Sequence, residues 1–168
     1  MKEEKKLPMY GVGPLYVAVV MAITAALIIL HCCGVLASGA IGALGLRILF
    51  YILGGLLIAF GIVLWVLAVL VDKIDRDIES NKLKTTGIYA AVRNPIYAAF
   101  LYACTGALLC CANWWMLAAP VVFYLYLTVL MIFTEEKWLK AMFGQEYIAY
   151  CKKVNRCIPR FVKRGEHQ

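Results

Sequence analysis

Two stretches carry residue types that could do chemistry. The first is LKTTGIYAAVRNPIYAAF, Leu83 to Phe100, in which Arg93 is followed by Asn94 and Pro95. Asn is favoured at a helix N-cap and Pro at the first helical position, so a helix is expected to begin here. Its free N–H groups and positive dipole end would make a seat for a carboxylate or phosphate, beside a snorkelling Arg93. The second stretch runs from Thr134 to Phe161. Glu135 and Glu136 open it, and they are expected to close the apolar run before them. Anions are mildly disfavoured at a helix C-terminus. They either mark a membrane edge, paired with Lys137 and Lys140, or one of them takes a cation or a hydroxylated ligand. Then aromatics alternate with bases: Trp138, Phe143, Tyr147, Tyr150, Lys152, Lys153 and Arg156, with Gly144 expected to divide the segment into two short interfacial helices. Together the stretches describe one pocket. One wall offers a helix N-terminus for an anion, the other carboxylates and aromatics for a cation or a ribose.

The elements that must position these residues are apolar. Of the 168 residues 64% are hydrophobic and only 16% charged, whereas soluble domains are roughly half apolar and about a quarter charged. A soluble domain and a disordered chain are both excluded. A spanning helix needs about 20 apolar residues, and four runs supply it: 15–36, 48–71, 95–112 and 114–134. Asn113 alone separates the last two, which predicts a tight helical hairpin flanked by Trp114 and Trp115. Pro120 is expected to kink the fourth span. The first loop, with Gly39, Gly42 and Gly45, reads as a short apolar connector.

The 17 Lys and Arg against 10 Asp and Glu suggest an anionic partner or membrane surface, and their placement decides. Lys2, Lys5 and Lys6 lie at the start; Lys73, Arg76, Lys82, Lys84 and Arg93 in the middle loop; the rest, except Arg47, in the tail. Under the positive-inside rule both termini and the middle loop are cytoplasmic, and nucleic acid is not an expected partner. Seven cysteines, mostly in apolar runs, read as packing residues, and no metal is expected. The expected architecture is all-α: one integral membrane bundle over residues 1–168, with four transmembrane helices and a cytoplasmic cap of interfacial helices over 135–161.

In the order T-x-G-x-Y, R-x-P-x-Y, hairpin, E-E-x-x-L, F-G-x-E-Y and R-x-x-P, residues 70–161 resemble the isoprenylcysteine carboxyl methyltransferase family, itself similar to the phospholipid N-methyltransferases. The residues concerned are Thr85, Gly87, Tyr89, Arg93, Pro95, Tyr97, Glu135, Glu136, Leu139, Phe143, Gly144, Glu146, Tyr147, Tyr150, Arg156 and Pro159. The resemblance implies a membrane methyltransferase that uses S-adenosylmethionine on a lipophilic small molecule or lipid at the cytoplasmic face. It implies cofactor contacts from Lys82, Leu83, Lys84, Tyr89, Asn94, Pro95, Ile96, Tyr97 and Glu135. Glu136 is the expected catalytic residue, as the local base if the acceptor is an amine; a carboxylate or thiolate acceptor needs none.

Two departures stand out. The family usually has His where Asn94 stands; Asn keeps the hydrogen-bonding capacity but moves no proton. One turn before Glu135, enzymes that methylate prenylated cysteine carry Arg, and this chain has Met131. Two other readings compete: a small four-span transporter, disfavoured by spans without interior charges, and a non-catalytic scaffold of the same family.

Overall fold

The computed structural model describes residues 11–72 and 82–159. The expected basic residues at 2, 5, 6, 73, 76, 160, 163 and 164 lie outside them. Among the described residues five α-helices follow one another: α1 (Gly13–Cys32), α2 (Leu44–Val66, extended by a π-helical turn Leu67–Val71), α3 (Pro95–Leu109), α4 (Ala118–Phe133) and α5 (Glu135–Lys153). Among the described residues there is no strand, only the single bridge Ala40–Asn113. Among the described residues three segments are long and apolar enough to cross a membrane: Gly13–Cys32, Leu44–Val71 and Trp114–Phe133. Pro95–Leu109 is apolar but shorter, about 22 Å at 1.5 Å per residue. Ile29, Leu56, Val63, Leu125 and Phe133 stand on the outside of these helices, where only a lipid solvent makes their exposure favourable.

The helix ends differ from the expected spans for local reasons. The first span stops at Cys32 rather than residue 36, because Gly34 takes a left-handed φ of 78°. The N–H of Gly34 donates to the His31 carbonyl and that of Val35 to the Leu30 carbonyl, the paired closure that a glycine at this position permits. The second begins a turn early, at Leu44, with Arg47 donating to the Tyr51 hydroxyl at 3.2 Å. The third ends at Leu109, and Ala112 turns the chain with φ 45°. Pro120 falls in the first turn of α4, after a 3-10 turn Trp114–Leu117. Its missing N–H has no intrahelical partner to lose there, so the kink expected of it is not required.

Small residues bring α2 and α3 together. A Cβ on Gly61 would lie 2.6 Å from the Ala99 carbonyl oxygen, and one on Gly54 2.7 Å from that of Gly106. Without lipid-driven burial, such close backbone approach is what holds membrane helices together. Gly55 faces open space. Gly61→Ala is therefore expected to cost about 1–3 kcal/mol by overpacking, while Gly55→Ala is neutral; thermal unfolding in detergent separates them.

At the hairpin turn, Asn113 is fully buried. Its amide donates to the Leu36 carbonyl at 2.8 Å, and its side-chain oxygen accepts from the Trp115 N–H at 2.9 Å. Gly39 packs against both Asn113 and Trp115. The first loop is thus stitched to the hairpin rather than lying loose.

Candidate functional site

The opposite end of the bundle gathers most of the sequence candidates, in two clusters that share the Glu135–Glu136 pair. Thr134 has a non-helical φ of −122° and ψ of −90°, which separates α4 from α5. The two glutamates therefore open α5 instead of closing the helix before it. That reverses the expected dipole argument: acids in a first turn are favoured.

Glu135 faces the bundle. Its Oε1 accepts from the Val12 N–H at 3.0 Å and from the Tyr97 hydroxyl. Both bonds fall on the same oxygen, so Oε2 carries neither. Burial pushes this carboxyl above the ordinary Glu range, against the opposing pull of the Tyr97 and Val12 hydrogen bonds. Gly11 is left-handed at φ 48°, and a Cβ there would collide with the Glu135 carboxylate; a Cβ on Gly13 would sit 2.9 Å from the Tyr97 ring. The glycines of G-V-G-P let the start of α1 close over the site. Tyr97 also meets Tyr16 edge-on, ring centres 5.7 Å apart. Sequence reasoning missed this contribution from α1; the alternating glycines at 11 and 13 were the available signal.

Glu136 faces the tail. Its Oε1 accepts from Arg156 Nε at 2.7 Å and lies 3.4 Å from Arg93 Nη1, and its Oε2 is 4.0 Å from Lys140. The Glu136 side chain is 5% exposed, Arg93 10% and Arg156 16%. Burial raises the Glu136 carboxyl, but the Arg156 hydrogen bond and the three cations outweigh it, and the group ends below the ordinary Glu range. A depressed carboxyl lends stability that is present above its unfolded value and lost as pH falls through the folded one. Protease sensitivity of the tail should therefore rise on acidification below the ordinary Glu range and stay flat between there and neutrality. A flat response throughout contradicts the pairing.

The tail is held along its length. Arg93 N–H donates to the Asn155 carbonyl at 2.9 Å and Asn94 N–H to that of Arg156 at 3.1 Å. Arg93 Nη1 also reaches the Tyr147 hydroxyl and the Cys151 sulfur. The Tyr150 hydroxyl donates to the Tyr89 carbonyl at 2.5 Å. Leu83 packs with Phe143 and Leu139 against Tyr147, Tyr150 and Val154. Cys157 is 1% exposed, and burial pushes its thiol up to about 12. Gly144, at φ 53° and ψ −123°, supplies the break within α5 that lets its second half return to the bundle.

The helix start at Pro95 is where the sequence places it, but Asn94 does not cap it. No side chain caps the first turn of α3, and the Asn94 amide instead donates to the Arg156 carbonyl at 3.4 Å. The tail has claimed the side chain expected to cover the Ile96 and Tyr97 N–H groups. Lys84 donates to the Asp72 carbonyl at 3.1 Å. Asp72 Oδ2 accepts from the Ile88 N–H at 2.6 Å beside left-handed Gly87, fixing the turn that carries buried Tyr89. Lys82 is exposed. Met131 is fully buried in the apolar core, so nothing cationic stands one turn before Glu135. No group of three potential metal ligands occurs among the described residues.

These features define a helical membrane protein with a carboxylate-and-tyrosine site at one end of its bundle. Residues 49–146 match the phospholipid methyltransferase family, and the chain belongs to that family. Over 88 residues it is 33% identical to protein-S-isoprenylcysteine O-methyltransferase B of Arabidopsis thaliana. That stretch is 52% of this chain and 44% of the relative, so the chain spans less than half the length of the protein it matches.

Proposed function

We propose that the chain is an integral membrane methyltransferase that uses S-adenosylmethionine to methylate a lipophilic acceptor, a carboxylate, lipid amine or thiol, at the cytoplasmic face. The observation that carries this reading is Glu135, a half-buried carboxylate held through one oxygen beside an uncapped helix start. Donors and acceptor so arranged fit an amino-acid zwitterion. The Ile96 and Tyr97 N–H groups, with Asn94 and Pro95 setting the helix start, would seat the carboxylate. Glu135 Oε2 would accept from the amino group or the ribose. Tyr97, fixed by Glu135, and Tyr89 would line the cation's side, and Lys82, Leu83 and Lys84 would border the site where the loop meets the tail.

When bound, S-adenosylmethionine supplies a methyl group on a positively charged sulfur. The chain's work is to align a nucleophile with it and exclude water. A carboxylate or thiolate acceptor needs no proton removed. A lipid amine does, and Glu136 would have to leave Arg156 to take that proton; its ion pairs fit better with a positioning role for the tail.

Four spans, with both termini and the middle loop cytoplasmic, complete the reading. It is supported by three spanning-length helices, the apolar Pro95–Leu109 and the one-sided lysines and arginines. The shorter helix matches the bilayer by local thinning, and α5 lies at the interface. Equilibrium binding of S-adenosylmethionine and its demethylated product to the purified full chain tests the cofactor assignment. We expect saturable binding of both; no binding of either by folded protein would overturn it.

A further inference from the structure

Among the described residues, four buried side-chain atoms have no hydrogen-bond partner: the Tyr16 hydroxyl, Thr24 Oγ1, Thr128 Oγ1 and Arg93 Nε. An unpaired buried polar group is destabilising, and one that persists in a native fold marks strain or function. The threonines can turn back onto the carbonyl one turn before them in their own helices. Arg93 already reaches Glu136 and Tyr147 through Nη1. A tyrosine hydroxyl stands too far from its own backbone to be satisfied there, so Tyr16 needs a partner from outside its helix.

The surroundings of Tyr16 point to that partner. The residue is 0% exposed and belongs to the buried stripe Gly13, Tyr16, Val20 and Thr24 of α1. Its ring meets Tyr97 edge-on, centres 5.7 Å apart, and stacks on Tyr126 at 5.8 Å. Side chains lean toward the N-terminus of their own helix, and the residue before α1 is held by Glu135 through the Val12 N–H. Tyr16 therefore sits beside the Tyr97–Glu135 pair, one turn further into the bilayer than Gly13. The turn that covers it is pinned at Val12, between Gly11 and Gly13, so displacing that turn uncovers Tyr16 and Glu135 together.

We propose that Tyr16 holds the methyl acceptor, its hydroxyl donating to the carboxylate or thiolate that is methylated. This role rests on the methyltransferase reading above. A lipophilic acceptor arrives from the bilayer, so its polar head meets Tyr16 next to the Tyr97–Glu135 pair. A polar group at that depth with no partner in the fold is suited to a partner the substrate brings. Oxygen and sulfur keep lone pairs for the hydroxyl beyond the one that reacts. A neutral amine has a single lone pair and none to spare.

The test compares the full parent chain with Tyr16→Phe and Thr24→Val. Three quantities are read: the unfolding temperature in detergent, equilibrium binding of S-adenosylmethionine, and the rate of labelled-methyl transfer in vesicles holding a limiting amount of membrane extract. In Tyr16→Phe the unfolding temperature is expected to rise by roughly 2–4 °C, since an unpaired hydroxyl is removed. Cofactor affinity stays at the parent's value, and transfer falls roughly ten- to a hundredfold, the worth of a hydrogen bond to a charged group. Thr24→Val, two turns deeper, keeps the parent's transfer rate. The label is expected to leave as volatile methanol in base, marking an ester, or to stay in the organic phase as an uncharged thioether. A lowered unfolding temperature in Tyr16→Phe means that the hydroxyl is already paired within the fold. Weakened cofactor binding puts it on the cofactor, and unchanged transfer, or an equal loss in Thr24→Val, removes it from the acceptor. Label held by a cation exchanger as a methylated amine defeats the head-group class. Each of these overturns the proposal and, with a working parent, leaves the methyltransferase reading standing. Parent protein that neither binds the cofactor nor transfers label defeats that reading and this role with it.

Discussion

Glu135→Ala is expected to weaken S-adenosylmethionine binding roughly ten- to a hundredfold, since a hydrogen bond to a charged group is worth about 1.5–3 kcal/mol. The carboxylate does two jobs in the proposed site. Oε1 holds Tyr97 and the start of α1, and Oε2 is left for the ligand. Tyr97→Phe separates them, because it removes one donor to Oε1 and leaves the ring and the carboxylate in place. A smaller loss is expected there than in Glu135→Ala. Equilibrium binding by each purified variant, with thermal unfolding to show that it is folded, is the measurement. Unchanged affinity in folded Glu135→Ala would remove Glu135 from the site.

Glu136→Ala is expected to cost about 3–5 kcal/mol, the usual consequence of leaving buried charges without a partner. Arg93 and Arg156 would then face each other across an empty position at 10% and 16% side-chain exposure. The loss should appear as a lowered unfolding temperature and as early proteolysis after Tyr147. Removing the second charge as well, in Glu136→Ala with Arg156→Met, should recover part of the stability, because a broken ion pair is worse than none. A double variant no more stable than the single one would mean that the pair does not govern tail docking. Glu135 and Glu136 are thus adjacent in sequence yet separable by experiment: one variant is expected to change affinity at constant fold, the other to change stability first.

Much of the fold was legible because the bilayer imposes a coarse rule. Apolar runs of spanning length and a helix start at Pro95 follow from residue type and order; so does a hairpin turn at Asn113, though the turn takes residues 110–113 rather than Asn113 alone. Boundaries were less legible where single backbone torsions decide, as at Gly34 and Ala112. The break at Thr134 mattered most, since it moved two acids from a helix end to a helix start. Within the site, the Tyr97 hydroxyl and the Glu135 carboxylate meet although 38 residues of sequence separate them. The closure by Val12 was not legible, because a backbone N–H carries no sequence signature beyond its flanking glycines. Nor was the diversion of Asn94 from capping to tail binding. Both depend on which segment arrives at the bundle end, and that is a tertiary property. Gly54 and Gly61 are used within the chain, between α2 and α3, a role indistinguishable in sequence from an oligomer contact.

The central claim is that this chain moves a methyl group from S-adenosylmethionine to a lipophilic acceptor. Its most direct test is transfer of labelled methyl from S-adenosylmethionine into an organic-extractable product by the purified full chain in lipid vesicles supplemented with a membrane extract. The account predicts label in the organic phase that grows with time, is suppressed by the demethylated cofactor and falls at least tenfold in Glu135→Ala. Parent protein that binds the cofactor yet transfers no label to any extractable acceptor would contradict it.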